Sequence, residues 1–170
     1  MEDKDLIRYS RHIMLPEIDI EGQISISSSK IAVVGLGGLG CSASVYLAAS
    51  GVGELNLIDN DLIDLSNLQR QILFSEADLN KKKVDIAKIK LTSLNENIKV
   101  NSSNLRLNKS NIRKILEGSE IVLDCTDNFE TRKVINAYCL NEKKILISGS
   151  SQGWKAVSYT HLRAHETQSD

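Results

Sequence analysis

Short apolar runs alternate along this chain with longer stretches in which apolar residues recur every three or four positions. Lys30 to Gly35 (KIAVVG) is apolar throughout after its lysine and ends in glycine, the pattern of a strand buried on both faces. Leu39 to Ser50, rich in small residues, reads as the helix that follows, and Leu55 to Ile58 as a second strand. From Asp78 to Leu94 the residues Val84, Ala87, Leu91 and Leu94 fall at helical spacing with lysines between them. Ile98 to Ser102 predicts a third strand. Ile112, Ile115 and Leu116 predict a short helix with Gly118 as its C-cap candidate. Glu120 to Asp124 (EIVLD) gives a fourth strand, Val134, Ala137 and Tyr138 stripe another helix, and Lys144 to Ser148 (KILIS) gives a fifth strand.

Strands that alternate with helices imply right-handed crossovers and a parallel sheet covered on both faces. The expected fold is α/β, a Rossmann-like doubly wound and mostly parallel sheet, cut short on its C-terminal side. Residues 1–25 are expected to form an N-terminal helical segment. Within it, residues 5–15 read as one amphipathic helix, with Leu6, Ile7, Ile13 and Met14 available for packing and Arg8 and Arg11 projecting. Residues 26–154 form the expected nucleotide-binding domain. After Gly153 and Trp154 the alternation stops. Residues 155–170 are expected to be a foreign or disordered tail, because Ser158 to Asp170 is polar and without periodicity. His161 and His165 stand four apart there, but no further ligands converge on them to hold a metal.

Composition narrows the partners. At 170 residues the chain suits one domain with a sizeable core. A formal net charge of −1 offers no basic excess for a nucleic-acid partner. The charged start, Met1 to Arg11, has no signal-peptide character, and nowhere do about 18 apolar residues run together to cross a membrane. Three widely spaced cysteines, Cys41, Cys125 and Cys139, suit a reducing cytoplasm and small buried side chains.

Candidate chemistry begins at Gly35-Leu36-Gly37-Gly38-Leu39-Gly40, where Gly35, Gly37 and Gly40 match G-x-G-x-x-G between a strand and a helix. The first glycine permits a tight turn, the second admits a phosphate close to backbone, and the third lets helix and strand pack. Helix N-terminal amides then face the anion. NAD enzymes and ATP enzymes share this motif. Asp59 ends the second strand ~20 residues on, where a carboxylate accepts hydrogen bonds from ribose hydroxyls. What dinucleotide binding leaves unexplained is the density of groups beyond it: Asp61, Asn67, Arg70 and Lys83 follow within one crossover. Arg70 and Lys83 can offset charge on triphosphate oxygens, each such donor contributing ~3 kcal/mol in a preorganised site. Asp127 follows the fourth strand, where open parallel sheets bind ligands. It can hold Mg²⁺ or orient an attacking carboxylate, and it can equally cap the helix that starts near Phe129.

R-Y-S-R-H-x-x-L-P (Arg8 to Pro16), the glycine turn, D-N-D (Asp59 to Asp61), S-N-L-Q-R-Q (Ser66 to Gln71) and D-C-T-D-N (Asp124 to Asn128) together resemble the ThiF/MoeB/HesA family over residues 5–153. These are ubiquitin-activating-type adenylyltransferases of sulfur carriers. The resemblance implies ATP-dependent adenylation of the C-terminal glycine of a ubiquitin-like carrier that ends in Gly-Gly, in molybdopterin or thiamine-thiazole biosynthesis. It also implies that Gly35, Gly37, Gly38 and Gly40 line the nucleotide and that Asp59 and Asp61 serve it. Asn67, Arg70 and Lys83 would contact phosphates, and Asp127 would work with Mg²⁺. Arg11 would reach the triphosphate held by a second copy, so a homodimer is implied.

Such proteins continue for roughly another hundred residues, often with two CxxC pairs for structural zinc, so zinc is expected only in that further part. Leu79-Asn80-Lys81-Lys82-Lys83 lacks the glycine and proline that relatives carry before this lysine. A sheet cut short exposes an edge, so the chain alone is expected to be inactive. Two other functions stay open. Gly35 to Gly40 with Asp59 permits an NAD-dependent oxidoreductase, and the missing part permits a non-catalytic nucleotide-binding or dimerising remnant.

Overall fold

The computed structural model describes residues 2–152 and 155–161. Its centre is a six-stranded sheet made of β1 (Lys30–Val34), β2 (Glu54–Ile58), β3 (Lys99–Ser103), β4 (Ile121–Asp124), β5 (Ile145–Gln152) and β6 (Lys155–His161). The spatial order is β3-β2-β1-β4-β5-β6. The first five strands are parallel, and β6 returns antiparallel along β5 from Gln152↔Lys155 to Leu146↔His161.

The helices are α1 (Asp3–Arg8), α2 (Ser10–Ile13), α3 (Asp19–Ser28), α4 (Gly38–Ser50), α5 (Lys83–Leu94), α6 (Ile112–Leu116) and α7 (Phe129–Asn141). Alternate residues of β1 serve opposite faces. Ile31 and Val33 join Leu55, Leu57, Val84 and Leu91 in one core. Ala32 and Val34 join Leu116, Val122, Ile135 and Leu146 in the other. Burial on both sides is why β1 is apolar at every inner position. Among the described residues, no helix is long and apolar enough to cross a membrane.

Several sequence-based boundaries move. The helix expected from Asp78 starts at Lys83. Asn80 adopts a left-handed φ of 62°, and Leu62 bridges Lys82 in antiparallel fashion, so residues 80–82 pair with the segment after β2. Gly118 follows α6 but is not among the left-handed glycines, so it makes no left-handed cap. The single helix expected over 5–15 is two short ones that meet at Tyr9, whose φ and ψ are −100° and 13°. Its packing residue also differs: Ile7 and Met14 are 77% and 71% exposed, whereas Tyr9 is 5% exposed. The Tyr9 hydroxyl accepts a hydrogen bond from Asn95 Nδ2 at 2.9 Å, and the same amide donates to Ala48 O at 2.8 Å. Gly51, at φ 84°, leaves the space, since a Cβ there would lie 2.4 Å from the Tyr9 hydroxyl. Helix α3 runs across residue 25, where the N-terminal segment was expected to end. Residues 155–161, expected to lie in a tail, form β6. Gly153, Trp154 and His165 lie outside the described residues.

Candidate functional site

The sheet order reverses between β1 and β4, and ligands of open parallel sheets bind beyond the strand ends at such a point. A cleft of about 1230 Å³ opens there, over the ends of β1, β2 and β4. Its floor is the glycine turn. Gly35 has a φ of 91°, and a Cβ on it would lie 2.9 Å from Cys125 O, so only glycine fits the turn. A Cβ on Gly37 would meet nothing within 4 Å, which leaves open space above that backbone. Gly40 is buried under the turn, and a Cβ there would fall 1.8 Å from Gly35 O. Gly37 is the N-cap of α4, so the first amides of a 13-residue helix face the cleft.

Asp59 stands at the end of β2 and already supports this floor. Its Oδ2 accepts the Leu36 amide at 2.6 Å, and its Oδ1 accepts the Asp61 amide at 2.7 Å. Each carboxylate oxygen keeps a second lone pair for a ligand hydroxyl. Lys83 has a buried side chain, 4% exposed, and its Nζ lies 2.9 Å from Asp61 Oδ2, while Asp61 itself is 60% exposed. Arg70 makes only long contacts, from Nη1 to Ser66 O and to Gln69 Oε1, both at 3.4 Å, so its charge stays uncompensated among the described residues. Asn67 is held by its neighbours: Gln71 Nε2 donates to its Oδ1 at 3.0 Å, and its Nδ2 donates to Ser66 Oγ at 3.1 Å.

At the end of β4 the sequence left two roles open for Asp127. The cap of α7 is in fact Asn128, whose Oδ1 accepts the amides of Glu130 and Thr131 at 3.0 and 3.1 Å. Asp127 is exposed in the cleft, and its carboxylate has no partner among the described residues. The nearby thiol of Cys125 is pushed up to about 11, first by burial and then by the Asp124 charge, so it is a poor nucleophile near neutral pH.

Gly35, Gly37, Gly38, Asp59 and Asp61 therefore share one cleft with Asn67, Arg70, Lys83 and Asp127. Gly40 serves by packing from below. Arg11, exposed on α2, does not line the cleft. Sequence reasoning missed Gln71, Leu105, Arg106, Leu107 and Arg132, which do line it. Gln71 lay inside a quoted motif. It is 2% exposed, and its Oε1 has no hydrogen-bond partner.

The profile of the ThiF family matches residues 9–169. The chain belongs to the ThiF family. It is 46% identical over 151 residues to the molybdopterin-synthase adenylyltransferase of Haemophilus influenzae, a match that takes in 89% of this chain and 62% of that protein. It is 43% identical over 154 residues to the sulfur carrier protein ThiS adenylyltransferase of Escherichia coli, covering 91% of this chain and 61% of that one. Among solved structures, this ThiF-family chain superposes on Escherichia coli MccB with ATP at a TM-score of 0.83 and 32% identity, over 93% of this chain and 48% of that one. It superposes on PaaA at a TM-score of 0.86 and 25% identity, over 98% of this chain and 54% of that one. The ThiF-family chain thus spans about three fifths of the length of the adenylyltransferases it matches, 62% and 61%.

Proposed function

We propose that this chain is the nucleotide-binding part of an enzyme that uses ATP to adenylate the C-terminal glycine of a ubiquitin-like sulfur carrier. One observation carries the reading. A carboxylate without a partner, Asp127, shares a cleft with the uncompensated Arg70 and the buried Lys83, above an open glycine backbone. An NAD site needs the glycines and Asp59 but has no use for that cation and carboxylate set. The family's named relatives, molybdopterin-synthase and ThiS adenylyltransferases, support the same chemistry.

The residues fit ATP with Mg²⁺. No group of three or more His, Cys, Asp or Glu among the described residues could cage a metal. Mg²⁺ commonly needs only one or two carboxylates together with substrate phosphates, which Asp127 suits. When bound there, Mg²⁺ would screen the phosphates and fix their orientation. The protein's own work is alignment and charge compensation. The Gly37 backbone and the start of α4 receive phosphate, and Asp59 takes ribose hydroxyls. Asn67, Arg70 and Lys83 bind the phosphate oxygens, with Asp61 releasing or sharing Lys83. A carrier carboxylate oxygen then bonds to the α-phosphorus as the α–β bridging bond breaks. Pyrophosphate leaves with that electron pair, and Arg70 and Lys83 offset the charge that accumulates on it. Arg11 of a second copy completes the charge set in a homodimer. The enzyme is cytoplasmic and needs neither nucleic acid nor membrane.

The test is ATP–pyrophosphate exchange by the full-length protein to which this nucleotide-binding part belongs, with a carrier ending in Gly-Gly, alongside calorimetric ATP binding. Exchange is expected to require the carrier and to fall at least a hundredfold in Arg70→Ala. Undiminished exchange in that variant, or saturable NADH binding that ATP fails to displace, would overturn the reading. ATP binding by that full-length protein without exchange points to the second reading, a nucleotide-binding remnant. The 170 residues alone, which cover 62% of the length of the Haemophilus influenzae relative, are expected to bind ATP without exchange under either reading.

A further inference from the structure

The roles above leave Arg132 unassigned, although its guanidinium lines the cleft. It stands in the first turns of α7, half-buried, and makes no ion pair among the described residues. Its donors go instead to neutral oxygens. Nε donates to Thr126 O at 2.9 Å, and Nη2 donates to Gly149 O at 2.7 Å and also to Thr126 O. Nη1 reaches Ser148 Oγ at 3.4 Å. A guanidinium binds a carboxylate more strongly than it binds carbonyls, so charge pairing does not explain this placement. Geometry does. One planar fork joins the residue before Asp127 to the middle of the neighbouring strand β5.

Thr126 is also held from a second side. Its amide and Oγ1 donate to Asp124 Oδ1 at 3.1 and 2.7 Å, and Asp124 is itself buried. On the other flank Asn128 is fixed as the cap of α7. Asp127 is therefore a free carboxylate between two clamped residues, and Arg132 is the clamp that reaches across strands. We propose that Arg132 is the positioning residue for Asp127, holding that carboxylate where a Mg²⁺–nucleotide complex needs it. The inference rests on the proposed role of Asp127. Mg²⁺ demands near-ideal octahedral geometry, so a small drift of its carboxylate weakens the site. A lysine is a point cation without the fork and cannot hold both carbonyls in one plane.

The experiment is calorimetric ATP binding by this chain across a Mg²⁺ titration and in EDTA, for wild type, Arg132→Ala, Arg132→Lys and Asp127→Ala, with thermal melts of each. Changes in residues that orient metal ligands typically cost 10–100-fold in metal affinity. The Mg²⁺ midpoint is thus expected to rise about tenfold or more in Arg132→Ala, and by less in Arg132→Lys. Affinity in EDTA should stay near wild type, because the glycine turn, Arg70 and Lys83 are untouched. If Arg132→Ala does not fold, Arg132→Lys carries the test. A wild-type Mg²⁺ midpoint in the folded Arg132 variants, or an equal loss in EDTA, would overturn the inference. Asp127→Ala tells the two levels apart. If it keeps the wild-type Mg²⁺ response, the role of Asp127 fails and the inference falls with it. If it abolishes the response and the Arg132 variants do not shift it, the inference alone fails.

Discussion

Gly37 and Gly40 lie three residues apart in one motif, yet substituting alanine should damage the two positions in different ways. At Gly40 a Cβ would fall 1.8 Å from Gly35 O and 2.9 Å from Gly35 C, where ordinary contact begins near 3.4 Å. The blocking atom is backbone, and that backbone is pinned. Gly35 donates its amide to Ile58 O at 2.8 Å, and a Cβ built on it would lie 2.9 Å from Cys125 O, so it has little room to move that way. Relief requires α4 to lift from β1. Overpacking of this kind costs about 1–3 kcal/mol, and a rigid backbone partner puts Gly40→Ala at the upper end. Alanine's helix propensity returns about 1 kcal/mol, so a net loss of about 2 kcal/mol remains. For a chain of this size that is a fall of roughly 4–8 °C in Tm. Gly37→Ala introduces no clash, and its φ of −77° suits any L-residue. The weaker N-cap should cost under about 1 kcal/mol. The new methyl would instead occupy the open space meant for phosphate. Urea and thermal unfolding followed by circular dichroism, with ATP titration of each variant, separate the two. Equal destabilisation by both substitutions, or unimpaired ATP binding by Gly37→Ala, would refute the reasoning.

The ion pair of Lys83 and Asp61 gives a second expectation. Asp61→Asn strands a buried ammonium and should destabilise by about 1–2 kcal/mol, below the usual range for buried pairs because Asp61 is 60% exposed. Lys83→Met should be near neutral in a melt yet weaken ATP binding at least tenfold; a Met variant that binds ATP normally would remove Lys83 from the site. Acid stability gives a third. The Lys90 ammonium, with Ser75 assisting against burial, lowers Asp78 from 3.8 to about 2. The folded value lies below the unfolded one, so its stabilisation is present above about pH 4 and is lost as pH falls toward 2. Calorimetric Tm should therefore drop less steeply over that window in Asp78→Asn than in wild type; parallel slopes would contradict the assignment.

Much of this arrangement was legible because it is local or periodic. The runs that became β1, β2, β4 and the first half of β5 are largely apolar for a reason that period and length reveal, namely burial in the two cores, whereas the edge strand β3 buries only Val100 of its five residues. The three glycines announced three separate needs: Cys125 crowds Gly35, the Gly35 carbonyl crowds Gly40, and Gly37 faces open space. What escaped depends on residues distant in sequence. The start of α5 is set by the pairing of Leu62 with Lys82 and by the left-handed Asn80, neither of which follows from the lysine-rich spacing. Tyr9 is the anchor of the N-terminal helices because Gly51 and Asn95 make a socket for it, a fact invisible to an apolar stripe. Asn128 holds the capping role for which Asp127 was the candidate. Arg132 gave no signal at all, since its partners are carbonyl groups that every residue carries.

That socket has a kinetic meaning. Tyr9 leaves the ribosome 86 residues ahead of Asn95, its hydrogen-bond donor, and also ahead of the Gly51 gap it fills. Closing so long a loop carries an entropic cost before any contact compensates it, so α1 and α2 are expected to dock after the elements that receive Tyr9 have formed. Ile7 and Met14 stay uncovered even after that docking, on the segment that carries Arg11, the residue proposed to reach a second copy. The placement of α2, which carries Arg11, therefore waits on the completion of the chain's own α4 and α5, a timing written into the chain by one tyrosine.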